Sequence, residues 1–234
     1  MSKQLSLALR EASAVFQPAD QIDWPSRAVT AAPLDLECLN DHEVLSRMLA
    51  SVGAEVAASA VLYAFPTIAE AANSSRAEFV ARTGIDHHVH DLLQLAHEIG
   101  ARVSRSSFDR QALSSFTVVQ DYLQVRMGHL PIEQFRVLFL DRKNHLIEDN
   151  PMWTGTVDHC PVYPREIIRR AIELGSNAIV VSHNHPSGDC TPSEADIKMT
   201  KQIIKAAAVF DIKVYDHIIV SRGNFCSFKV KGLI

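Results

Sequence analysis

The sequence lacks clustered cysteines, long apolar runs and an excess of basic side chains. None of its four cysteines forms a CxxC pair, which speaks against a zinc ribbon or a disulfide framework and favours a reducing, cytoplasmic location. No run approaches about 18 apolar residues, and the N-terminus lacks the cleavage site of a signal peptide, so we expect neither a membrane span nor secretion. The 23 basic and 27 acidic residues give a net charge of -4, without the positive field typical of nucleic-acid binding.

Glycine and proline are also scarce, with 9 and 10 residues, while 47% of the side chains are apolar and 21% are charged. This composition is typical of a globular chain and excludes collagen-like, low-complexity and wholly disordered proteins. The length of 234 residues allows one large domain or two small ones. Residues 1–125 hold 9 basic and 15 acidic side chains, whereas residues 126–234 hold 14 and 12. We therefore expect two parts of different character.

The first part is predicted to consist of an arm and a helical module. Residues 1–40 are interpreted as an irregular arm, since they contain three prolines and no clear hydrophobic period. Residues 41–125 are predicted to be all-helical, and Asn40 or Asp41 can cap a first helix that Gly53 stops. Further helices are predicted at about 54–64, 67–72, 76–82, 87–104 and 108–124.

Residues 126–234 are predicted to form an α/β (α+β) domain. The segment 133–141 carries apolar side chains on both of its faces, as a strand covered on both sides does. The predicted strands span 133–141, 145–149, 152–158, 177–183, 212–220 and 224–230. The predicted helices begin at Pro164 and Ser193 and end at Gly175 and about Phe210.

Residue types that bind metals are concentrated between positions 182 and 197. His183 and His185 end an apolar strand at positions i and i+2, so their imidazoles project from the same face. A loop with proline and glycine follows, and the helix that begins at Ser193 carries Asp196 in its first turn. Two histidines and a carboxylate with one open position are the ligands of a catalytic zinc ion. The Ser193–Asp196 spacing also fits a helix-capping pattern, which needs no metal, and the two interpretations can coexist.

These residues resemble a known family motif. The pattern His183-x-His185-Pro186 followed by Ser193-x-x-Asp196 looks like the JAMM (MPN+) metalloprotease motif, and HNHPSGD with DHIIV resembles its RadC branch. The resemblance implies a JAMM/MPN-type domain in which a central mixed β-sheet, flanked by helices, binds one zinc ion (Zn2+) per chain. It also implies that the helical module is a degenerate helix-hairpin-helix.

The resemblance assigns roles to individual residues as well. It implies that His183, His185 and Asp196 bind the zinc ion. It further implies that Glu133 is the catalytic general base and that Ser193 assists near the reacting oxygen. Glu133 stands at the start of the domain's first strand, where the family motif has a glutamate, and this placement alone favours it over the domain's other candidates. Those are Glu148, Glu166, Glu173 and Glu194.

Other histidines have simpler explanations. His87 and His90 would share a helix face, but we interpret the run His87-His88-x-His90 as a solvated helix start. His217 lies in the predicted strand 212–220 and could support a metal ligand. We interpret it as an ordinary strand-end histidine.

The sequence therefore predicts a cytoplasmic zinc metallopeptidase, a hydrolase that cleaves peptide or isopeptide amide bonds in a protein or peptide substrate. Two alternatives stay open: a DNA-processing accessory protein and a non-catalytic protein-binding scaffold. Nucleic acid is disfavoured, because Asp86 replaces the second glycine of a phosphate-binding hairpin turn and residues 1–125 carry a net charge of -6. No membrane partner is expected. The oligomeric state and the physiological substrate leave no signal in the sequence.

Overall fold

The computed structural model describes residues 38–111, 116–155 and 162–234. The predicted arm at 1–40 therefore lies outside the described residues, except for its last three positions. Contacts group Leu39–Ile234 into one unit. Among the described residues, no helix combines the length and the apolar character that a bilayer span needs.

Six helices precede the sheet in the described residues. They are α1 (Asp41–Ala50), α2 (Ala57–Ala64), α3 (Ile68–Asn73), α4 (Arg76–Thr83), α5 (His87–Gln111) and α6 (Phe116–Met127). The helical prediction for this part is confirmed, and Asn40 caps α1 through a reciprocal pair of hydrogen bonds with Glu43. The break predicted near residue 105 is wrong, because α5 continues to Gln111. Serines in this stretch lower helix propensity only slightly and do not end a helix.

The first five helices have an apolar core of their own. Its largest buried side chains are Leu45, Leu49, Phe65, Phe79 and Leu93. At the turn between α4 and α5, Gly84 adopts a left-handed conformation with φ 68°. Asp86 Oδ1 then accepts a hydrogen bond from the backbone N–H of His88, 2.9 Å away. A carboxylate thus occupies the N-terminal end of α5.

Five strands among the described residues form a mixed sheet. Its strands are β1 (Gln134–Leu140), β2 (Leu146–Thr154), β3 (Ala178–Asn184), β4 (Lys213–Ser221) and β5 (Asn224–Ser227). Helices α7 (Pro164–Leu174) and α8 (Glu194–Ala208) connect the strands around β3. The spatial order is β2-β1-β3-β4-β5, in which β3 and β4 are parallel and the other neighbours are antiparallel. The predicted α/β fold class with a central mixed sheet is confirmed.

Two strand predictions need correction. The segments predicted at 145–149 and 152–158 share the single strand β2, which ends at Thr154, and residues 156–158 lie outside the described residues. Pro151 does not interrupt β2, because β2 is an edge strand and its pairing with β1 shifts register beside Pro151. The predicted strand 224–230 ends at Ser227, since the chain turns immediately afterwards.

Both faces of the sheet are covered, as the pattern of β1 predicts. Phe135, Val137 and Phe139 pack on one face against α7 and α8. Leu138 and Leu140 pack on the other face against α6. The predicted domain boundary between residues 125 and 126 falls inside α6, and the division into two domains stays a prediction.

Candidate metal centre

His183, His185 and Asp196 converge where β3 ends and α8 begins. Nε2 of His183 lies 3.0 Å from Nε2 of His185 and 3.3 Å from Oδ1 of Asp196. Nε2 of His185 lies 3.8 Å from Oδ2 of Asp196. The structure therefore brings together the three residues that the sequence predicts as metal ligands.

The geometry of this group fits a divalent cation. Ligands placed tetrahedrally at roughly 2.0–2.1 Å from zinc lie about 3.3 Å from one another, and the three observed separations span 3.0–3.8 Å. The side chain of His183 is 1% exposed, whereas those of His185 and Asp196 are 20% and 14% exposed. The group is thus buried on the side of His183 and open to solvent on the other, which leaves access for a substrate.

The loop after β3 orients His185. The carbonyl oxygen of His185 accepts a hydrogen bond from Gly188 N over 3.1 Å, and Gly188 has φ 91°, a backbone conformation that favours glycine. This turn brings the carbonyl oxygen of Asp189 to 2.7 Å from Nδ1 of His185. A carbonyl only accepts, so Nδ1 carries the ring hydrogen and Nε2 keeps its lone pair for a metal.

Asp196 is held by the first turn of α8. Its backbone N–H donates to Ser193 Oγ, while Ser193 N and Ser193 Oγ donate to Asp196 Oδ2 over 2.8 and 2.6 Å. The capping interpretation of this pair is confirmed. Burial raises the pKa of Asp196, but its interactions with His183 and Ser193 outweigh burial and hold that pKa well below its usual value. The carboxylate is therefore ionised at neutral pH, as a metal ligand must be.

Ser193→Ala should lower both the stability of the chain and its affinity for zinc. Loss of an N-cap costs about 0.5–2 kcal/mol, and the same change removes two contacts that orient Asp196. Ser75→Ala is the matched control, because Ser75 caps α4 in the same way and has no contact with the candidate ligands. Denaturant unfolding should show similar losses for both variants, whereas zinc titration should separate them. Equal zinc affinity in the two variants would exclude an orienting role for Ser193.

Glu133 directly precedes the strand that pairs with β3. Phe135 pairs with His183 in the antiparallel ladder of β1 and β3, and Glu133 lies two positions before Phe135, directly ahead of the first residue of β1. Side chains two positions apart on a strand share a face, so we expect the side chain of Glu133 on the same side as Phe135, whose ring stacks on His183 with centroids 6.2 Å apart. Glu133 is half-buried.

The competing glutamates have other partners or lie in solvent. Glu148, Glu166 and Glu173 form ion pairs with arginines of α7, and Glu194 is exposed. Glu133 is the candidate that directly precedes the strand paired with His183.

Asn184 is a residue at this site that the sequence reasoning missed. Its Oδ1 accepts a hydrogen bond from Gln134 N over 2.8 Å, and its Nδ2 donates to the carbonyl oxygen of Ile132 over 3.0 Å. One amide thus fixes the backbone on both sides of Glu133. Its position between the two histidines, on the opposite face of β3, was the available signal.

The interpretation of His217 as an ordinary strand-end histidine is wrong. His217 is fully buried in β4, and its Nε2 lies 2.7 Å from Nδ1 of His183. Its Nδ1 lies 2.6 Å from Oγ1 of Thr200 in α8. The parallel register of β3 and β4 pairs His217 with Val181, two positions before His183, and so places both rings on one face.

The solvated interpretation of the other histidine run is wrong in part. His90 is buried, and its Nε2 lies 3.0 Å from the carbonyl oxygen of Ser74. Its neighbours His87 and His88 lie near the exposed Asp86, with donor atoms within 4.8 Å of one another. This second group sits at the surface, where such clusters are common without a metal.

Comparisons with known proteins agree with the geometry. The family model described as RadC-like JAB domain matches residues 113–233. A UPF0758 protein of Rhodobacter capsulatus is 41% identical over 203 residues, which cover 85% of this chain and 95% of that protein. The JAB domain family is related to JAMM metalloproteases. The chain therefore belongs to the RadC family.

Proposed function

We propose that this chain is a zinc-dependent hydrolase of the JAMM type that cleaves peptide or isopeptide amide bonds. The observation that carries the proposal is the convergence of two imidazole nitrogens and one carboxylate within 3.8 Å, with one side open to solvent. These are the ligand types, the number and the open position of a catalytic zinc site. Membership of a family related to metallohydrolases supports the same reaction class.

His183, His185 and Asp196 would hold the zinc ion. When bound, zinc acts as a Lewis acid that lowers the pKa of water towards about 7 and polarises the substrate carbonyl. Glu133 would take a proton from the attacking water and pass it to the amide nitrogen that leaves. Asn184 supports this step, because its hydrogen bonds to Gln134 N and Ile132 O keep the strand start in place.

Ser193 would act in two ways. In the structure its hydroxyl donates to Asp196 Oδ2, so it orients a metal ligand. A carboxylate that binds a cation is a weaker acceptor, and we propose that the hydroxyl then turns to the oxyanion of the substrate. In well-formed sites such a donor contributes about 2.7–4 kcal/mol to transition-state stabilisation.

The first test is the zinc content of the purified chain. Elemental analysis should find one zinc per chain, which His183→Ala and Asp196→Ala should remove because each deletes a ligand. His88→Ala is the matched control, since it disrupts the surface group of Asp86, His87 and His88 and should leave the zinc content unchanged. Protein supplied with zinc at neutral pH that stays metal-free would contradict the proposal.

Cleavage is tested on a panel of peptides and isopeptide-linked protein conjugates. Turnover that depends on zinc and disappears with Asp196→Ala supports the hydrolase. A zinc-loaded chain that cleaves no member of the panel would favour a protein-binding scaffold instead. The DNA-processing alternative predicts binding to duplex DNA that falls steeply with salt, and no mobility shift at low salt would remove it.

A further inference from the structure

A chain of hydrogen bonds runs behind the candidate metal centre. It begins at Nδ1 of His183, which lies 2.7 Å from Nε2 of His217. Nδ1 of His217 lies 2.6 Å from Oγ1 of Thr200, and that hydroxyl lies 2.6 Å from the carbonyl oxygen of Asp196. The chain therefore starts at one ligand and ends on the backbone of another.

The positions of the hydrogens in this series of hydrogen bonds can be assigned by starting from its last acceptor, the carbonyl oxygen of Asp196. The carbonyl oxygen of Asp196 only accepts, so the single hydroxyl hydrogen of Thr200 is donated to it. Nδ1 of His217 must then donate to Thr200 Oγ1. His217 is fully buried between apolar rings, where a charged imidazole is unfavourable, so the ring is neutral and has no second hydrogen. Nε2 of His217 therefore accepts from Nδ1 of His183, which leaves Nε2 of His183 free for a cation.

Apolar rings isolate the assigned hydrogens from solvent. Phe228 stacks on His217 with ring centroids 4.4 Å apart, and the edge of Phe135 lies against it at 5.9 Å. His217 and Thr200 are both fully buried. Because these groups are shielded from bulk solvent, each hydrogen bond depends on the one before it.

We propose that Thr200 and His217 are positioning residues that fix His183 in the tautomer able to bind a metal. Neither residue contacts the site of the cation. The proposal rests on the metal centre of the proposed function, and it adds that the helix hydroxyl at position 200 determines which nitrogen of His183 carries hydrogen. With His185 fixed by the carbonyl of Asp189, both Nε2 atoms then present lone pairs to one point.

The proposal has a specific consequence for the loss of the hydroxyl. Without Thr200 Oγ1, Nδ1–H of His217 has no acceptor in its buried site, which is unfavourable. His217 then gains by carrying its hydrogen on Nε2, where it donates to Nδ1 of His183. The hydrogen of His183 moves to its own Nε2 and blocks the position of the cation.

The experiment compares Thr200→Val with Thr200→Ser. Valine keeps the shape and deletes the hydroxyl, whereas serine keeps the hydroxyl and deletes a methyl group. Outer partners of metal-binding histidines typically change affinity by about 10- to 100-fold. We therefore expect zinc affinity, measured by chelator competition, to fall by this factor in Thr200→Val and to stay near wild type in Thr200→Ser. The absorption spectrum of the Co2+-loaded protein should change in Thr200→Val and stay as in wild type in Thr200→Ser. Equal affinities and spectra in two folded variants would overturn the proposal.

A second measurement uses the wild-type chain without metal. Nitrogen-15 NMR of the imidazoles identifies which ring nitrogen carries hydrogen, and we expect it on Nδ1 of both His217 and His183. A hydrogen on Nε2 of His217 would overturn the proposal even if Thr200→Val fails to fold. This result does not depend on turnover or on zinc, so a chain that binds no zinc contradicts the proposed function while the tautomer is still determined.

Discussion

Replacing Glu133 with glutamine should reduce amide cleavage by about 100- to 10,000-fold, the usual contribution of a general acid–base residue. Glutamine preserves the size of the side chain and cannot take a proton at neutral pH. Zinc affinity should be unchanged, because Glu133 is not one of the three converging donors. The measurements are turnover on the best substrate of the peptide and conjugate panel, and zinc content of the same preparation.

Glu194→Gln is the matched control for this change. Glu194 directly follows Ser193 at the start of α8, and its side chain is exposed. The Glu194→Gln variant should therefore keep both its bound zinc and its turnover. If Glu133→Gln cleaves at the wild-type rate, or if both glutamine variants lose activity equally, the assignment of Glu133 as the base is wrong.

The convergence of two histidines and one carboxylate could be predicted from the sequence because its geometry is local. Alternation along one strand puts His183 and His185 on one face, and a capped helix start fixes Asp196 relative to Ser193. The two-sided pattern of β1 was likewise readable, since consecutive apolar residues in a strand require cover on both faces. Each of these predictions needs no knowledge of which strands are neighbours.

The residues that support this converging group could not be predicted, because that support depends on contacts between distant segments. His217 lies 34 positions after His183 and meets it only through the parallel register of β3 and β4. Asn184 reaches Gln134 across 50 positions. Thr200 looks like an ordinary helix residue until α8 is packed on β4. A histidine inside an apolar strand indicates that its ring has a buried hydrogen-bond partner, but the sequence does not indicate which residue that partner is.

A buried ion pair that involves both β1 and β2 was equally invisible in the sequence. The carboxylate of Asp149 is 1% exposed, and Nη1 of Arg136, whose side chain is 7% exposed, lies 2.6 Å from its Oδ2. The hydroxyl of Tyr122 in α6 donates to the same oxygen, and Nε of Arg126 lies 3.8 Å away. This cluster connects α6 to the sheet face that is opposite the candidate metal centre.

Asp149→Asn should lower the free energy of unfolding by about 3–5 kcal/mol, the typical cost of removing one partner of a buried ion pair. Asparagine keeps the shape of aspartate but leaves the guanidinium of Arg136 buried without a counter-charge. Denaturant unfolding followed by circular dichroism measures the loss. A decrease below about 1 kcal/mol, the range of exposed pairs, would contradict the expectation.

Two further variants test whether the stability of this cluster depends on burial of the ion pair and on leaving one charge unpaired. Glu98→Gln removes the more exposed partner of Arg126, which lies 2.7 Å away, and should cost no more than about 1 kcal/mol. The double change Arg136→Met with Asp149→Leu removes both buried charges and replaces them with apolar side chains. It should be more stable than Asp149→Asn alone, because a buried pair can be exchanged for apolar contacts at little net cost whereas a single unpaired charge cannot. If the double variant is the less stable of the two, then the hydrogen bonds around Asp149, rather than the unpaired charge of Arg136, dominate the stability of this cluster.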